Sequence, residues 1–334
     1  MTTNRQRNLL KTLPGLLISA FFLWYTFKGI SYAQIRAVRL VHPAWILGVL
    51  GFTLGSYTLR CVRWTRMMLP TGAGFGVCAR VLMTSLAANN ILPLRIGDIM
   101  RVFTYAGDLG TSPSVILSTV ILEKLLDIFT LVLVFVATMG SIATPRLHLI
   151  AYISLGISSV GLLVLLLGAR LLQPKLPAIF KRLPSHGLMV KTEHWITLAL
   201  NATARLGIAG SLLLLVQSAV IWTCEGLIFL SALRLLGVPT DRIGPWLAVS
   251  FANLSYLIPS SPGAIGPFEL AVKTSLVSHG APDSQSALFG LVLHAWLLVS
   301  ITGAGGIIFL MHRFKIHNDK PLLAEIETLP DQLP

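Results

Sequence analysis

Charged side chains are scarce in this sequence, since only 12% of its 334 residues are Asp, Glu, Lys or Arg. A soluble domain carries about 25% charged residues. Apolar residues make up 54% of the chain, so most of its surface must face something other than water. This composition excludes a soluble enzyme, a coiled coil and a disordered chain. It predicts an integral membrane protein.

Acidic residues and cysteines are also few. The chain has 13 acidic and 26 basic residues. In a soluble protein, the resulting net charge of +13 would indicate nucleic-acid binding. Here the bases lie between apolar runs, so we predict contact with a membrane and not with nucleic acid. The three cysteines, Cys61, Cys78 and Cys224, lack the spacing of a metal or redox site.

Motifs of catalysis are missing as well. The chain has no P-loop, no paired-aspartate motif for metal-bound phosphoryl transfer, no HExxH and no GxSxG. We therefore predict no catalytic residue, no metal and no cofactor. We expect that the protein is not an enzyme.

Six apolar segments reach, or nearly reach, the roughly 20 residues that a helix needs to cross a bilayer. The loops assigned to the cytoplasm hold most of the Lys and Arg residues. This distribution predicts a multi-pass protein of the cytoplasmic (inner) membrane with both termini in the cytoplasm. The segments are residues 14–30, 44–59, 113–142, 150–167, 206–233 and 288–311.

Two further apolar stretches, residues 81–94 and 246–258, are too short to cross. Each is followed by a Pro/Gly break and then by a second short helical stretch. This pattern is typical of a re-entrant pair of helices, which enters and leaves the membrane on one side. Non-helical backbone at membrane depth is tolerated only where protein or a water-filled cavity covers it.

The two breaks resemble each other. Residues 90–98 read NILPLRIGD, and residues 257–269 read LIPSSPGAIGPFE. The prolines Pro93 and Pro259 are 166 residues apart, which is near half the chain length. Such an offset indicates an ancient internal duplication.

Three spans lie between the two breaks, and an odd number inverts the second copy. We predict an all-α polytopic integral membrane protein with about six spanning helices and two re-entrant broken-helix pairs in an inverted-topology repeat. The repeat halves cover about 44–142 and 206–312 of a single transmembrane domain at 1–312, and a loose cytoplasmic tail follows at 313–334. The tips of the breaks would meet near the middle of the membrane, as in secondary transporters. The break residues are Asn90, Pro93, Gly97, Asn253, Pro259, Pro262, Gly263 and Gly266.

Charged residues at membrane depth cost at least about 2.5–3.5 kcal/mol each, so they indicate function by default. Arg95, Asp98 and Arg101 follow at intervals of three, which would let Asp98 pair with both arginines on one helix face. Glu123 and Asp127 are four residues apart and would project to one side of their span. The candidate substrate-binding residues are Arg95, Asp98, Arg101, Glu123, Asp127 and Glu269.

The same charges have a purely structural alternative. Lys124, Glu225, Lys273 and His294 also lie at membrane depth, so acids and bases nearly balance and could pair to hold the broken helices together. The short helix pairs could also be amphipathic helices on the membrane surface. The functional interpretation is a polar cavity that admits a charged headgroup or ion. The glycines of the breaks would let free backbone N–H groups approach a phosphate there.

Three motifs in this order resemble one known family. They are NILPLRIGDIMR at 90–101, EKLLD at 123–127 and PSSPGAIGPFE at 259–269. The chain resembles the lysylphosphatidylglycerol synthase/flippase transmembrane-region family, the membrane half of bacterial multiple-peptide-resistance proteins, which also occurs alone. The sequence departs from the family pattern at Asp98, where glutamate is common, and at Gly263-Ala264, where two glycines are usual.

The resemblance implies a flippase-like fold and assigns the functional role to the six charged candidates named above. We expect a phospholipid translocase, of flippase or scramblase type, that holds a charged headgroup in a polar cavity at the repeat interface. The expected substrate is an anionic or aminoacylated membrane phospholipid. A second copy of the chain and a separate lipid-modifying enzyme stay open as partners.

Two other functions stay open. An ion-coupled secondary transporter of a small anion would share the architecture but not a cavity that opens sideways to lipid. A membrane lipid or glycosyl transferase would need a metal or nucleotide site at one membrane interface.

Overall fold

The fold is entirely α-helical in the part of the chain that the computed structural model describes, which is residues 17–31, 39–140, 145–171 and 187–327. Ten α-helices and several short 3-10 turns form there, and these residues contain no β-strand. The predicted all-α membrane fold class is confirmed. The helices are α1 (Leu17–Phe27), α2 (Ile46–Met68), α3 (Phe75–Ile91), α4 (Ile96–Phe103), α5 (Pro113–Thr138), α6 (Pro145–Leu171), α7 (Gly187–Leu236), α8 (Gly244–Ser255), α9 (Pro267–Ser278) and α10 (Asp283–Glu327).

Within the described ranges, three helical segments are long and apolar enough to cross a membrane, namely Pro43–Thr71, Ala209–Leu236 and Asp283–Phe314. Helix α5 has 26 residues but carries three charged residues in its middle. The shorter apolar helices are Leu17–Phe27 and His148–Leu163. The number of six spans and the orientation of the termini therefore stay predictions.

Gly207 divides the long helix α7. Its φ of 67° and ψ of −179° interrupt the helical geometry, and glycine adopts positive φ at little cost. The apolar part beyond this break, Ala209–Leu236, corresponds to the span predicted at 206–233. The kink thus separates the crossing segment from the helix that precedes it.

Both predicted broken-helix pairs are present, and each is a hairpin with its two ends side by side. In the second pair, Asp241 before α8 contacts His279 after α9, with 2.8 Å between Oδ2 and Nδ1. In the first pair, Arg80 near the start of α3 contacts Asp108 after α4, with 2.9 Å between Nη1 and Oδ2. Each pair therefore returns to the end at which it starts, as the re-entrant prediction requires.

The tips of the two pairs touch. The 3-10 turn Pro93–Arg95 of the first break lies against the turn Pro262–Ala264 of the second. A Cβ atom placed on Gly263 would lie 3.8 Å from the carbonyl oxygen of Asn90. The predicted meeting of the breaks is confirmed, whereas their depth in the membrane stays a prediction.

The halves of the proposed repeat pack crosswise. Helix α3 of the first pair packs on α10, α8 of the second pair packs on α5, and α2 packs along α7. Reciprocal contacts of this kind are what two halves related by a two-fold axis would form. The periphery is apolar, with Leu47 72% exposed and Leu54 69% exposed. Such a surface suits lipid contact.

The expected loose tail from residue 313 begins with helical backbone, and its looseness stays a prediction. The backbone of α10 continues as a helix to Glu327. Once a helix exists, each added residue gains a hydrogen bond without a new nucleation cost, and the Leu, Ala and Glu residues at 322–327 have high helix propensity. Residues 328–334 lie outside the described part of the chain.

Candidate functional site

The first break is built around a proline and a left-handed arginine. Helix α3 ends at Ile91, because Pro93 has no N–H to continue it and biases Leu92 towards its observed extended conformation. A 3-10 turn over Pro93–Arg95 follows. Arg95 has φ 52° and ψ 42°, which directs the chain into α4. Left-handed φ is uncommon for a non-glycine residue, so the fold imposes this conformation.

Gly97 lets the two arms of the first pair approach closely. A Cβ atom at this position would collide with the carbonyl oxygen of Ser85 and with Asn89. At this contact, Asn89 Nδ2 donates to Asp98 Oδ1, and the backbone N–H of Asp98 donates to Asn89 Oδ1, both at 3.1 Å. This reciprocal pair holds the start of α4 against α3.

The second break relies on two glycines with positive φ. In the turn Pro262–Ala264, Gly263 has φ 73°. Gly266 has φ 101° immediately before α9. A Cβ on Gly266 would lie 2.6 Å from the carbonyl oxygen of Ser19, so this glycine also permits contact with α1. Pro259 lies in the non-helical stretch between α8 and α9.

The two break asparagines form different hydrogen bonds. Asn90 Nδ2 donates to Thr302 Oγ1 at 3.2 Å and ties the first pair to α10. Asn253 Nδ2 donates to the carbonyl oxygen of Val249 at 2.8 Å, within its own helix. Asn90 therefore links the repeat halves, and Asn253 does not.

A first ionic cluster joins α4 to α5. Arg101 is completely buried, and its Nη1 lies 2.9 Å from Glu123 Oε2. Asp98 Oδ1 is 3.4 Å from Arg101 Nη2, and Asp98 Oδ2 is 3.4 Å from Lys124 Nζ. The Arg101 guanidinium also lies over the ring of Trp64, 5.1 Å from its centre. A buried charge is tolerable only with such partners.

A second cluster lies farther along α5. Arg63 of α2 is 1% exposed, and its Nη1 donates to Asp127 Oδ1 at 2.7 Å and to Ser218 Oγ at 2.6 Å. The indole N–H of Trp222 donates to the same carboxylate oxygen at 3.2 Å. Asp127 therefore links α2, α5 and α7.

Arg60 extends this second cluster. Its Nη2 donates to Glu225 Oε1 at 3.0 Å, and the Ser56 hydroxyl donates to the same oxygen at 2.7 Å. The Arg60 guanidinium also lies 5.0 Å from the ring centre of Trp222. Glu225 is thus a buried ion-pair partner between α2 and α7.

A third cluster belongs to the second break. Glu269 is 1% exposed, and its Oε2 accepts the backbone N–H of Gly266 at 2.6 Å. Its Oε1 lies 2.7 Å from His294 Nδ1. The other ring nitrogen of His294 lies 3.3 Å from the Tyr256 hydroxyl, and the ring stacks on Phe268 with centres 4.0 Å apart. Glu269 and His294 thus connect the break to α10.

Arg95 differs from the other candidates. Its side chain is exposed at the tip of the first break, and its guanidinium faces the ring of Tyr256 from the second pair, 5.7 Å from the ring centre. Among the described residues, no carboxylate lies within ion-pair distance of it. Arg95 is therefore a cation at the junction of the two breaks that is left without an anion.

The structure does not bring the six charged candidates to one point. Asp98, Arg101 and Glu123 form one cluster, Asp127 belongs to a second and Glu269 to a third. The expected pairing of Asp98 with both arginines is wrong for Arg95, because the left-handed turn directs that side chain towards Tyr256. The clusters therefore do not form one open cavity lined by all six residues.

Sequence reasoning missed Arg60 and Arg63. It ended the second span at residue 59 and assigned both arginines to a cytoplasmic loop, whereas α2 continues to Met68. Their spacing of three, which places both on one helix face, was the available signal. Asp127 and Glu225 are buried acids that needed a cation, and these arginines supply it.

No group of three or more His, Cys, Asp or Glu side chains among the described residues could hold a metal ion. Cys61 and Cys78 are buried as free thiols, and Cys224 is half-buried. The clusters are built from guanidinium, ammonium, carboxylate, imidazole and phenol groups.

Comparisons with known proteins agree with a multi-pass membrane protein. The chain matches the family described as "Lysylphosphatidylglycerol synthase TM region" over residues 13–305. It is also similar to "Glycosyltransferase AglD" of Haloferax volcanii, with 24% identity over 338 aligned positions. That match covers 88% of this chain and 53% of the relative, so the chain spans about half the length of the curated relative it matches. No solved structure matches the chain.

Proposed function

Because the chain belongs to the lysylphosphatidylglycerol synthase transmembrane-region family, we propose that it moves a phospholipid with a charged headgroup between the two leaflets of a membrane. In this proposal it is a flippase- or scramblase-like translocase and not an enzyme, and it works without a cofactor. The substrate is an anionic or aminoacylated phospholipid.

The observation that carries the proposal is the position of Arg95. This exposed guanidinium lies where the two breaks touch, and it faces the ring of Tyr256. A guanidinium presents a planar fork of N–H donors that matches two phosphate oxygens. A phosphate bound at Arg95 would contact both broken-helix pairs at once, which is what a headgroup at the repeat interface must do.

The buried clusters have a second role in this proposal. Arg101 with Glu123 and Arg63 with Asp127 fix α4 and α2 against α5, while Glu269 and His294 fix α9 against α10. The two arginine–carboxylate pairs neutralise their own charges in the described arrangement. A passing headgroup would replace some of these side chains as ion-pair partners. This change of partners would alter which side of the membrane the junction of the two breaks at Arg95 faces.

The remaining expectations belong to the same proposal. The protein would be a multi-pass component of the cytoplasmic (inner) membrane with both termini in the cytoplasm. A homo-oligomer and a separate lipid-modifying enzyme are the partners that fit a stand-alone translocase. The inverted repeat would place one break on each side of the membrane, since corresponding helices of the two halves pack reciprocally.

One specific observation favours a second candidate function. The similar Haloferax volcanii protein is named a glycosyltransferase, and its similarity covers 88% of this chain. A membrane lipid or glycosyl transferase would release a modified lipid, whereas a translocase returns its substrate unchanged. Chemical analysis of the recovered lipid therefore separates the two functions. An ion-coupled transporter of a small anion would use Arg95 in the same way but would move a soluble solute.

The deciding experiment is a leaflet-quenching assay in proteoliposomes with fluorescently labelled phospholipids. The intact protein should accelerate exchange of labelled lipid between leaflets. Arg95→Ala and Glu269→Gln should each abolish most of that exchange. Arg95→Lys should recover only part of it, because lysine keeps the charge but loses the fork.

Arg146→Gln is the matched control, since it removes one exposed cation far along the chain from either break. Because Arg95 is exposed, its variants should elute as folded protein in size-exclusion chromatography. Equal exchange in Arg95→Ala and intact protein would contradict the proposal. No lipid exchange by the intact protein, together with uptake of a small anion, would favour the transporter.

A further inference from the structure

The third cluster differs from the other two in the group that pairs with its carboxylate. Arginines pair with the carboxylates of the first two clusters, and a guanidinium stays charged at every physiological pH. Glu269 instead faces His294, and an imidazole changes its charge between about pH 5 and pH 8. Among the side chains that the structure describes, His294 is the one buried histidine. A permanent cation would suffice for a structural ion pair, so His294 adds a partner whose charge can change.

His294 belongs to a chain of three titratable side chains. Its Nδ1 lies 2.7 Å from Glu269 Oε1, and its Nε2 lies 3.3 Å from the Tyr256 hydroxyl. Glu269 and His294 are each 1% exposed. Tyr256 is half-buried, and the exposed Arg95 guanidinium faces its ring. The chain therefore leads from a buried carboxylate to the junction of the two breaks, and such chains form proton relays in membrane transporters.

Both charge states of His294 fit the same contacts. An ionised carboxylate only accepts hydrogen bonds, so Nδ1 is the donor to Glu269. In the neutral imidazole, Nε2 accepts the O–H of Tyr256. In the charged imidazole, Nε2 donates to the Tyr256 oxygen, and the phenol O–H is free to donate to another acceptor. One proton can therefore bind here while every heavy atom keeps its partner.

Two further ionisable groups act on the Tyr256 hydroxyl from other helices. They are Glu225 of α7 and Tyr57 of α2. Glu225 Oε1 lies 3.0 Å from Arg60 Nη2, and the Tyr57 hydroxyl lies 2.8 Å from Ser300 Oγ. Both groups thus have partners of their own outside the chain.

The charged side chains of the other surrounding helices are also engaged elsewhere. Lys273 of α9 lies 2.9 Å from Asp283, and Lys28 of α1 lies over the ring of Trp24. Helix α8 carries no ionisable side chain. The charged residues of α3 and α5 pair in other contacts, namely Arg80, Glu123, Lys124 and Asp127. Arg95 is thus the cation beside this chain that an incoming anion can reach.

We propose that the Glu269–His294 pair binds a proton together with the anion at Arg95, so that the proton is the coupling ion of transport. The Tyr256 hydroxyl passes its proton to His294 Nε2 and takes one proton from water at the junction. Tyr256 is unchanged by this transfer, and the imidazole gains one positive charge.

The coupling between the proton and the anion is electrostatic. Proton uptake changes the net charge of the Glu269–His294 pair from negative to neutral, which lessens its repulsion of an anion at Arg95. A bound anion raises the affinity for the proton by the same factor, because coupling between two sites is reciprocal. The transport part of this inference rests on the proposed function, in which the junction changes the side that it faces. Proton and headgroup would then cross together.

The first test measures binding and needs no transport. Dihexanoyl phosphatidylglycerol, whose phosphodiester keeps one negative charge throughout, is titrated onto the full chain in detergent by isothermal calorimetry. Its affinity for the intact protein should rise about tenfold from about pH 8 to about pH 5, since two coupled sites typically change each other's affinity by about 5–150-fold. In His294→Gln the rise should stay below about twofold, because glutamine keeps an N–H donor for Glu269 but binds no proton in this range.

Two further variants make the binding result decisive. His279→Gln is the matched control, because His279 also lies 2.8 Å from a carboxylate, that of Asp241, but at the closed end of the second pair. It should keep the full rise. Tyr256→Phe keeps the ring that faces Arg95 and removes the oxygen that contacts His294, so it should lose most of the rise. This variant keeps the inference testable if His294→Gln does not fold.

The second test adds a pH gradient to the leaflet-quenching assay, with the membrane potential held at zero. The intact protein should move labelled phosphatidylglycerol from the leaflet on the acidic side to the leaflet on the alkaline side, beyond the equal distribution reached without a gradient. An ionophore that exchanges K⁺ for H⁺ should abolish this accumulation. His294→Gln should show none.

The two tests can fail separately. An equal rise in affinity in the intact protein and in His294→Gln, or loss of the rise in His279→Gln, would overturn the proton site. Lipid exchange by the intact protein that ignores the pH gradient would overturn the coupling and leave the proposed function standing. Proton-linked binding without any lipid exchange would remove the proposed function and leave the proton site standing.

Discussion

Arg101 and Glu123 form a two-point contact across the interface of α4 and α5, with 2.9 Å between Nη1 and Oε2 and 3.3 Å between Nη2 and Oε1. Arg101 is completely buried and Glu123 is 5% exposed. The contact holds the short second arm of the first broken helix against a long helix. A helix of eight residues is marginal on its own, so the arm depends on tertiary contacts such as this ion pair.

The first prediction concerns this pair. Arg101→Gln should destabilise the folded protein by about 3 kcal/mol, because it leaves the buried Glu123 carboxylate with only the partly exposed Lys124 ammonium, 3.6 Å away, as a cationic neighbour. The double variant Arg101→Gln, Glu123→Gln should recover a large part of that loss, since no uncompensated charge remains. Thermal unfolding in detergent, followed by intrinsic fluorescence, gives the four stabilities of the cycle. Additive single losses would contradict direct coupling of the two side chains.

The second prediction concerns the close approach at Gly97. Gly97→Ala should cost more than about 3 kcal/mol or prevent folding, because the new methyl group would meet the Ser85 backbone, which cannot move aside alone. Gly76→Ala is the matched control in the same pair, since nothing lies within 4 Å of its Cβ position. Yield of monodisperse protein and its melting temperature measure both variants. A Gly97→Ala protein as stable as the control would show that the arms of the pair are not packed as described.

The sequence predicted the architecture well, for identifiable reasons. Length and apolar composition locate helices, and Pro93, Gly97, Gly263 and Gly266 mark the breaks because each has a backbone constraint that other residues rarely share. The contact between the two breaks was also predicted, from the proposed duplication and the predicted odd number of intervening spans. Local chemistry and topology were sufficient for these features.

The pairing of the charges could not be predicted in the same way. Spacing along a helix indicates which side chains share a face, but not which helix packs on that face. Arg63 and Asp127 are 64 residues apart and meet only because α2 packs beside α5 and α7. The separation of Arg95 from Asp98 depends on one left-handed residue, and no local pattern marks an arginine for that conformation.

The third prediction concerns the buried histidine of the second break. His294→Ala should destabilise the protein by about 3–5 kcal/mol, because it opens a cavity against Phe268 and leaves Glu269 Oε1 without its partner at 2.7 Å. His294→Gln should recover part of the loss, since its amide can donate to the carboxylate. The melting temperatures of the two variants measure how much of the loss the hydrogen bond accounts for. If both variants lose the same stability, packing and not the hydrogen bond is what His294 contributes.

The fourth prediction concerns the effect of pH on the contact between Asp241 and His279, which joins the two ends of the second pair outside the membrane-spanning segments. Partial burial raises the pKa of Asp241, but the hydrogen bonds from His279 and from the backbone N–H groups of Gly244 and Ile243 outweigh it and hold the pKa below its ordinary value. A carboxylate with a lowered pKa stabilises the folded state fully above its ordinary pKa of about 4 and loses this contribution as the pH falls through the folded value. The contribution is below about 1 kcal/mol, because half of the Asp241 side chain is exposed.

Asp241→Asn should therefore lower the melting temperature by about 1–3 °C at pH 7. The deficit should be the same at pH 5 and should shrink only below about pH 4, where the intact protein also protonates this carboxyl. Arg242→Gln removes the neighbouring exposed charge and should show no such dependence. A deficit that disappears between pH 7 and pH 5 would contradict this prediction, because the Asp241 carboxylate remains ionised throughout that range.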